Sequence, residues 1–156
     1  MKYLKILILI VGTCFLIYTE VGVNTFLSGS EYLEVLPFLI YLFFTATLKF
    51  SKSSLIVFIA TGFYYDLFFT DNYLGYTSIK FLLICVIVNF ISIRGGSGLI
   101  SNFFLFYICA LLYKFEIVFV NIDTTFFYIL LICFPNYLLF KALTSNLRGD
   151  VFSTKI

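Results

Sequence analysis

Apolar residues along this chain fall into six blocks separated by short polar or glycine-rich breaks: Ile6–Val23, Val35–Leu48, Ser54–Phe69, Tyr76–Ile93, Leu99–Val120 and Phe126–Leu143. A helix needs roughly 20 apolar residues, within a range of about 17–25, to cross a hydrocarbon core of about 30 Å. The blocks therefore predict about six transmembrane helices. The second and third are short, so each is expected to tilt little, borrow flanking residues or thin the bilayer locally. Pro37 suits the first turn of the second helix, where a missing N–H costs nothing. Ser28-Gly29-Ser30, Ser51-Lys52-Ser53 and Asp71-Asn72 mark breaks between helices. Gly95-Gly96-Ser97-Gly98 joins the fourth and fifth; without a following Lys-Ser/Thr it reads as a flexible turn, not a phosphate loop. With no internal repeat and no long polar stretch, residues 1–156 read as a single polytopic, all-α membrane domain.

Composition agrees. Hydrophobic residues make up 62% of the chain and charged residues 12%, against roughly 45–50% and about 25% in soluble domains. Too few polar side chains exist to cover a water-facing exterior, whereas lipid favours an apolar one. The 22 Phe and 12 Tyr, with no Trp, suit lipid-facing bulk and an interfacial belt. Met1-Lys2-Tyr3-Leu4-Lys5 before an apolar run has the charge pattern of a secretory signal. No convincing cleavage site follows and the run continues past Tyr18, so an uncleaved first helix is expected.

Charge placement sets the orientation. With a cytoplasmic N-terminus, the inner ends and loops hold Lys2, Lys5, Lys49, Lys52, Arg94, Lys141, Arg148 and Lys155. The outer ends and loops hold Glu20, Glu31, Glu34, Asp66, Asp71, Glu116 and Asp123, with only Asp150 inside. Basic residues flanking helices stay cytoplasmic, so both termini are expected there and the helix count is expected to be even. Lys80 and Lys114 break the rule, and a charge at mid-membrane costs about 2.5–3.5 kcal/mol on insertion scales. Lys114 reads as an interfacial anchor that snorkels outward. Lys80 and Asp66 flank the turn between the third and fourth helices at matching depth. Either they pair across the hairpin or each reaches interfacial water. Gly62 shares a helix face with Asp66 and permits close helix approach. Pro135 predicts a kink in the last helix, and Asn136 a hydrogen bond to a neighbouring helix.

Nothing points to an enzyme, a cofactor or a metal. There is no His, no nucleophile beside a base, and no carboxylate pair within one helix. Cys14, Cys85, Cys109 and Cys133 each sit in an apolar run and read as small buried hydrophobes. The net charge of +2 is small and says nothing by itself about nucleic acid, and no nucleic-acid partner is expected.

Leu36-Pro37-Phe38-Leu39-Ile40-Tyr41, the basic break Lys49–Lys52, Gly62-Phe63-Tyr64-Tyr65-Asp66-Leu67 and Leu74-Gly75 together resemble the rod shape-determining protein MreD family of bacteria. That family shows a proline-led second helix, a polar or basic break, a Gly-x-x-x-Asp-Leu stretch and a Leu-Gly opening the fourth helix. The likeness covers about 40 residues, from Leu36 to Gly75, with Pro135-Asn136 as a weaker echo. Where members often follow Asp-Leu with Ser-Gly or Gly-Ser, this chain has Phe68-Phe69-Thr70-Asp71. The resemblance implies a non-enzymatic scaffold of the cell-elongation machinery in the bacterial inner (plasma) membrane, supporting rod shape and peptidoglycan synthesis. Its partner would be a bitopic MreC-like protein, and through it actin-like MreB and the cell-wall synthases. The implied fold is similar to substrate-binding subunits of energy-coupling vitamin transporters. Gly62, Asp66, Leu67, Leu74, Gly75, Lys80, Pro37, Pro135 and Asn136 become the candidate structural or partner contacts. The alternative is a small-solute, vitamin-like uptake subunit with a cavity near the outer face, lined by Asp66, Asp71, Asn72, Lys80 and Glu116.

Overall fold

A computed structural model of the chain describes residues 2–27, 34–48, 50–71, 73–94, 99–115 and 122–152. Among them are six helices: α1 (Lys2–Leu27), α2 (Pro37–Leu48), α3 (Lys52–Phe68), α4 (Tyr76–Arg94), α5 (Leu99–Tyr113) and α6 (Ile122–Phe152). Each expected block thus contains a helix, though Val35 and Leu36 precede α2, α5 ends at Tyr113, and residues 116–120 of the fifth block lie outside the described residues. Tyr3–Leu27, Tyr76–Ile93 and Thr125–Ser145, in α1, α4 and α6, are long and apolar enough to cross a membrane. The expected breaks at Ser28-Gly29-Ser30 and Gly95–Gly98 lie outside the described residues, as do Asn72 and Glu116.

The short α2 is the centre of the bundle. It packs against α1, α4, α5 and α6, and Phe38, Leu39, Ile40, Leu42, Phe43, Thr45 and Ala46 are buried along its length. A helix packed against four others needs no polar face, which is why its sequence is apolar almost throughout. Aromatic rings interlock around it: Phe38 meets Phe58 of α3 and Phe81 of α4, and Phe43 meets Phe106 of α5 and Phe140 of α6. Cys85, Cys109 and Cys133 are buried in the same core while Cys14 is half-buried, in line with their reading as small hydrophobes.

The outside of the bundle is apolar. Leu7, Ile8, Val11, Phe15 and Tyr18 of α1 are exposed, as are Ile79, Leu83, Val86 and Phe90 of α4. Such a surface is stable in lipid and a liability in water. Polar contacts between helices are placed inside instead. The Thr13 and Thr61 hydroxyls share a 2.8 Å hydrogen bond between α1 and α3, and Asn89 of α4 donates to the Ala46 carbonyl of α2. α6 runs helically through Pro135 to Phe152, so the proline does not end it.

Candidate functional site

Twelve residues of α2 rise only about 18 Å, well short of a hydrocarbon core. Its N-terminus is buried in the bundle, with Leu36 and Phe38 almost unexposed, and residues 34–36 reach it as non-helical chain. Buried irregular backbone needs partners for its polar groups. Two side-chain amides supply them here. Asn24 of α1 accepts from the Val35 N–H and donates to the Val35 carbonyl, both at 3.0 Å. Asn136 of α6 accepts from the Leu36 N–H at 2.9 Å and donates to the Glu34 carbonyl at 2.8 Å and to the Ile132 carbonyl at 2.9 Å. The interhelical role expected of Asn136 is thus a clamp on the segment entering α2. Pro37 opens that helix, as its fixed φ and missing N–H suit.

The next N–H of α2 is capped from another helix. Glu20 of α1, 7% exposed, accepts from the Phe38 N–H at 3.0 Å through Oε2 and from the Tyr113 hydroxyl at 2.7 Å through Oε1. A carboxylate at a helix N-terminus meets both orphan donors and the positive end of the dipole. Reading Glu20 as an outer-rim charge is therefore corrected: it lies about 10 Å along the axis from the end of α1 and faces inward. Lys114, just past α5, bonds Glu34 at 2.6 Å, and Tyr128 donates to Glu34 Oε1 at 3.0 Å. Lys114 thus ties the end of α5 to the segment before α2. Glu20, Tyr65, Thr77, Lys80, Phe81, Tyr113 and Lys114 surround a cavity of about 130 Å³.

The α3–α4 hairpin uses its polar residues to hold itself together. Asp66, 5% exposed, accepts from the Gly75 N–H at 2.7 Å and from the Thr77 N–H at 3.2 Å, capping α4 as Glu20 caps α2. The Asp66–Lys80 ion pair does not form. The turn backbone holds both oxygens of Asp66, and Lys80 Nζ sits 5.8 Å from the Tyr76 ring centre and 6.0 Å from that of Tyr113. Gly75 has φ +94°, a conformation only glycine adopts without strain. Gly62 is buried, and a Cβ there would overlap the backbone of Ser78. The Gly62-x-x-x-Asp66 and Leu74-Gly75 pattern is thus the joint of one tight hairpin. Leu67 and Leu74 are 64% and 62% exposed and stand apart from this joint.

Of the sequence candidates, Gly62, Asp66 and Gly75 come together at the hairpin, Pro37 and Asn136 at the α2 entry, and Lys80 at the cavity. Pro135 is half-buried in α6 with no polar role of its own. Asp71, expected along the cavity, is exposed, and Asp66 faces the turn instead. Glu20, Asn24, Glu34, Thr77 and Tyr113 were not singled out by sequence, although Glu20 interrupts an apolar helix just as Lys80 does. Among the described residues no group of His, Cys, Asp or Glu is placed to hold a metal.

A second concavity, of about 540 Å³, is almost wholly apolar. α2 forms its floor through Pro37, Ile40, Tyr41 and Phe44, with Leu16 of α1 on one side and Leu139, Phe140 and Leu143 of α6 on the other. Compared with known proteins, the chain matches no family model, no curated protein and no solved structure.

Proposed function

We propose that this chain is a non-enzymatic, multi-pass membrane scaffold that seats the single transmembrane helix of a bitopic partner in the apolar groove over α2. The contrast between the two concavities carries the reading. The polar cavity, at about 130 Å³, is small beside the roughly 300–1,000 Å³ of sites that enclose drug-sized ligands, and a vitamin-sized solute would not fit it. The groove is about four times larger at 540 Å³ and lies between α1 and α6, two helices of spanning length. Small-solute uptake is the second reading, and the polar cavity alone speaks for it.

In this account all six helices lie in the membrane, with α2, α3 and α5 reaching the interfaces through their flanking segments. The Lys and Arg bias supports cytoplasmic termini, in what the resemblance implies is a bacterial inner membrane. The likeness to MreD over Leu36–Gly75 supplies the biological setting: an MreC-like partner, linked through it to MreB and cell-wall synthesis. The hairpin joint of Gly62, Asp66 and Gly75 gives those motif positions a folding role, so the partner contact is assigned to the groove and not to the joint. Depletion in a rod-shaped host without a second copy is expected to round the cells, and an MreC-like protein is expected to co-purify with the chain. Unchanged rods after full depletion, together with saturable solute binding by purified protein, would overturn the scaffold reading.

A further inference from the structure

We infer that the small polar cavity beside Glu20 is a binding site for ordered water, with room in its 130 Å³ for a cluster of about four molecules at about 30 Å³ each. The Thr77 hydroxyl carries the inference. It is 0% exposed, lines the cavity and has no hydrogen-bond partner within the protein. A threonine inside a helix can satisfy its hydroxyl on a carbonyl three or four residues back, as Thr13, Thr19, Thr45, Thr61 and Thr144 do here. Thr77 is the second residue of α4, so no preceding turn of helix offers it that carbonyl. Its N–H is bonded to Asp66, and its hydroxyl is left facing the cavity. A buried hydroxyl without a partner is costly and uncommon, so the cavity calls for an occupant that can donate and accept.

The charges around the cavity select a neutral dipole over an ion. Lys80 and Lys114 line it together with Glu20. Lys114 is paired with Glu34, and Asp66 holds the Thr77 N–H on the adjoining turn. Two ammonium groups are thus set among three carboxylates. A cation entering the cavity would meet the ammonium groups, and an anion the carboxylates; water suits both signs. A buried water needs about three hydrogen bonds, and the site offers them without drawing on either lysine. Thr77 Oγ1 donates and accepts, and Glu20 Oε1 and Oε2, each accepting one bond from Tyr113 or Phe38, keep a second lone pair. Glu20 belongs to α1, Thr77 to α4 and Tyr113 to α5, so the cluster joins three helices beside the start of α2. This site is separate from the groove over α2 and does not depend on the scaffold reading.

The test is hydroxyl-radical footprinting of the purified full chain in phosphatidylcholine nanodiscs, with radicals made by X-ray pulses and adducts located by mass spectrometry. X-rays split bound water as well as bulk water, so a buried ring beside a bound cluster is hydroxylated in place. Phe81, 1% exposed, lines the cavity, whereas Phe58 and Phe106, both 0% exposed, do not. Hydroxylation of Phe81 is expected while Phe58 and Phe106 stay at background, a comparison that needs no variant. A scavenger confined to bulk solvent should suppress labelling of Tyr73, 92% exposed beside the same turn, and leave that of Phe81. Thr77→Val, which keeps the backbone N–H bond to Asp66, should lower Phe81 labelling severalfold, and Thr77→Ser should retain it. Where Thr77→Val does not fold, the comparison among phenylalanines in the unaltered chain decides. Phe81 labelled no more than Phe58 and Phe106 would overturn the inference. So would Phe81 labelling that falls in step with that of Tyr73 under the scavenger, or that a folded Thr77→Val leaves unchanged.

Discussion

Replacing Asn136 with Leu removes the amide that holds the entrance to α2 while keeping the same branched side-chain skeleton. Asn136 is 1% exposed, and its substitution leaves the Leu36 N–H and the Glu34 carbonyl without their partners. Each buried backbone group left unpaired costs about 1–3 kcal/mol, which brackets the total at about 2–6 kcal/mol. Side-chain hydrogen bonds measured in membranes fall lower, at about 0.6–2 kcal/mol, because released groups find other partners. Between these limits the expected loss is about 2–4 kcal/mol. The assay is equilibrium unfolding in mixed lipid–detergent micelles by increasing SDS, with Phe134→Leu on the exposed side of the same helix as the control. Asn24→Leu should act on the same segment, so the double variant should cost less than the two single losses added together. A loss for Asn136→Leu no greater than about 0.5 kcal/mol, the size of an ordinary surface substitution, would refute the clamp.

Other outcomes follow from the same contacts. Gly62→Val forces a side chain into the Ser78 backbone and should destabilise by at least the 1–3 kcal/mol typical of overpacking, read in the same SDS titration; a neutral result would contradict the close approach of α3 and α4. Asp66→Ala should weaken the hairpin by about 2–4 kcal/mol through its lost caps, and Asp66→Lys combined with Lys80→Asp should unfold no later than Asp66→Lys alone, since rescue would restore the ion pair that the structure lacks. Glu20→Gln, which keeps one acceptor for Phe38 N–H, should be milder than Glu20→Leu by about 1 kcal/mol or more. Cysteines placed at Ser51 and Tyr73, both exposed, should label with an impermeant maleimide from the cytoplasmic and the outer side respectively; labelling of both from one side would overturn the orientation.

How much of this was legible in the sequence differs by kind of feature. Helix positions were, because an apolar block of sufficient length leaves the backbone few alternatives in lipid. Pro37 was legible for the same local reason, and Asn136 because a lone amide in an apolar helix needs a partner. The identity of that partner was not. Asn136 meets residues 34 and 36, about a hundred positions away, and periodicity reports the face of a residue without naming what packs on it. Lys80 and Asp66 were expected at matching depth, but depth carries no azimuth, and the turn backbone holds the carboxylate in place of the ammonium. Glu20 was missed because its position toward the end of a long helix resembles an interfacial charge; the sunken start of α2, which gives it work to do, is visible only in three dimensions.

The central claim, that the groove over α2 seats a partner's membrane helix, is tested most directly by site-specific photo-cross-linking in rod-shaped cells co-expressing an MreC-like protein. A photoreactive residue replaces Ile40 or Leu139 in the groove, or Ile79 or Leu83 on the exposed face of α4. The account predicts adducts with the transmembrane segment of that partner from positions 40 and 139 and none from 79 and 83. Adducts from the α4 positions alone, or no adduct from the groove while the two proteins co-purify, would contradict it.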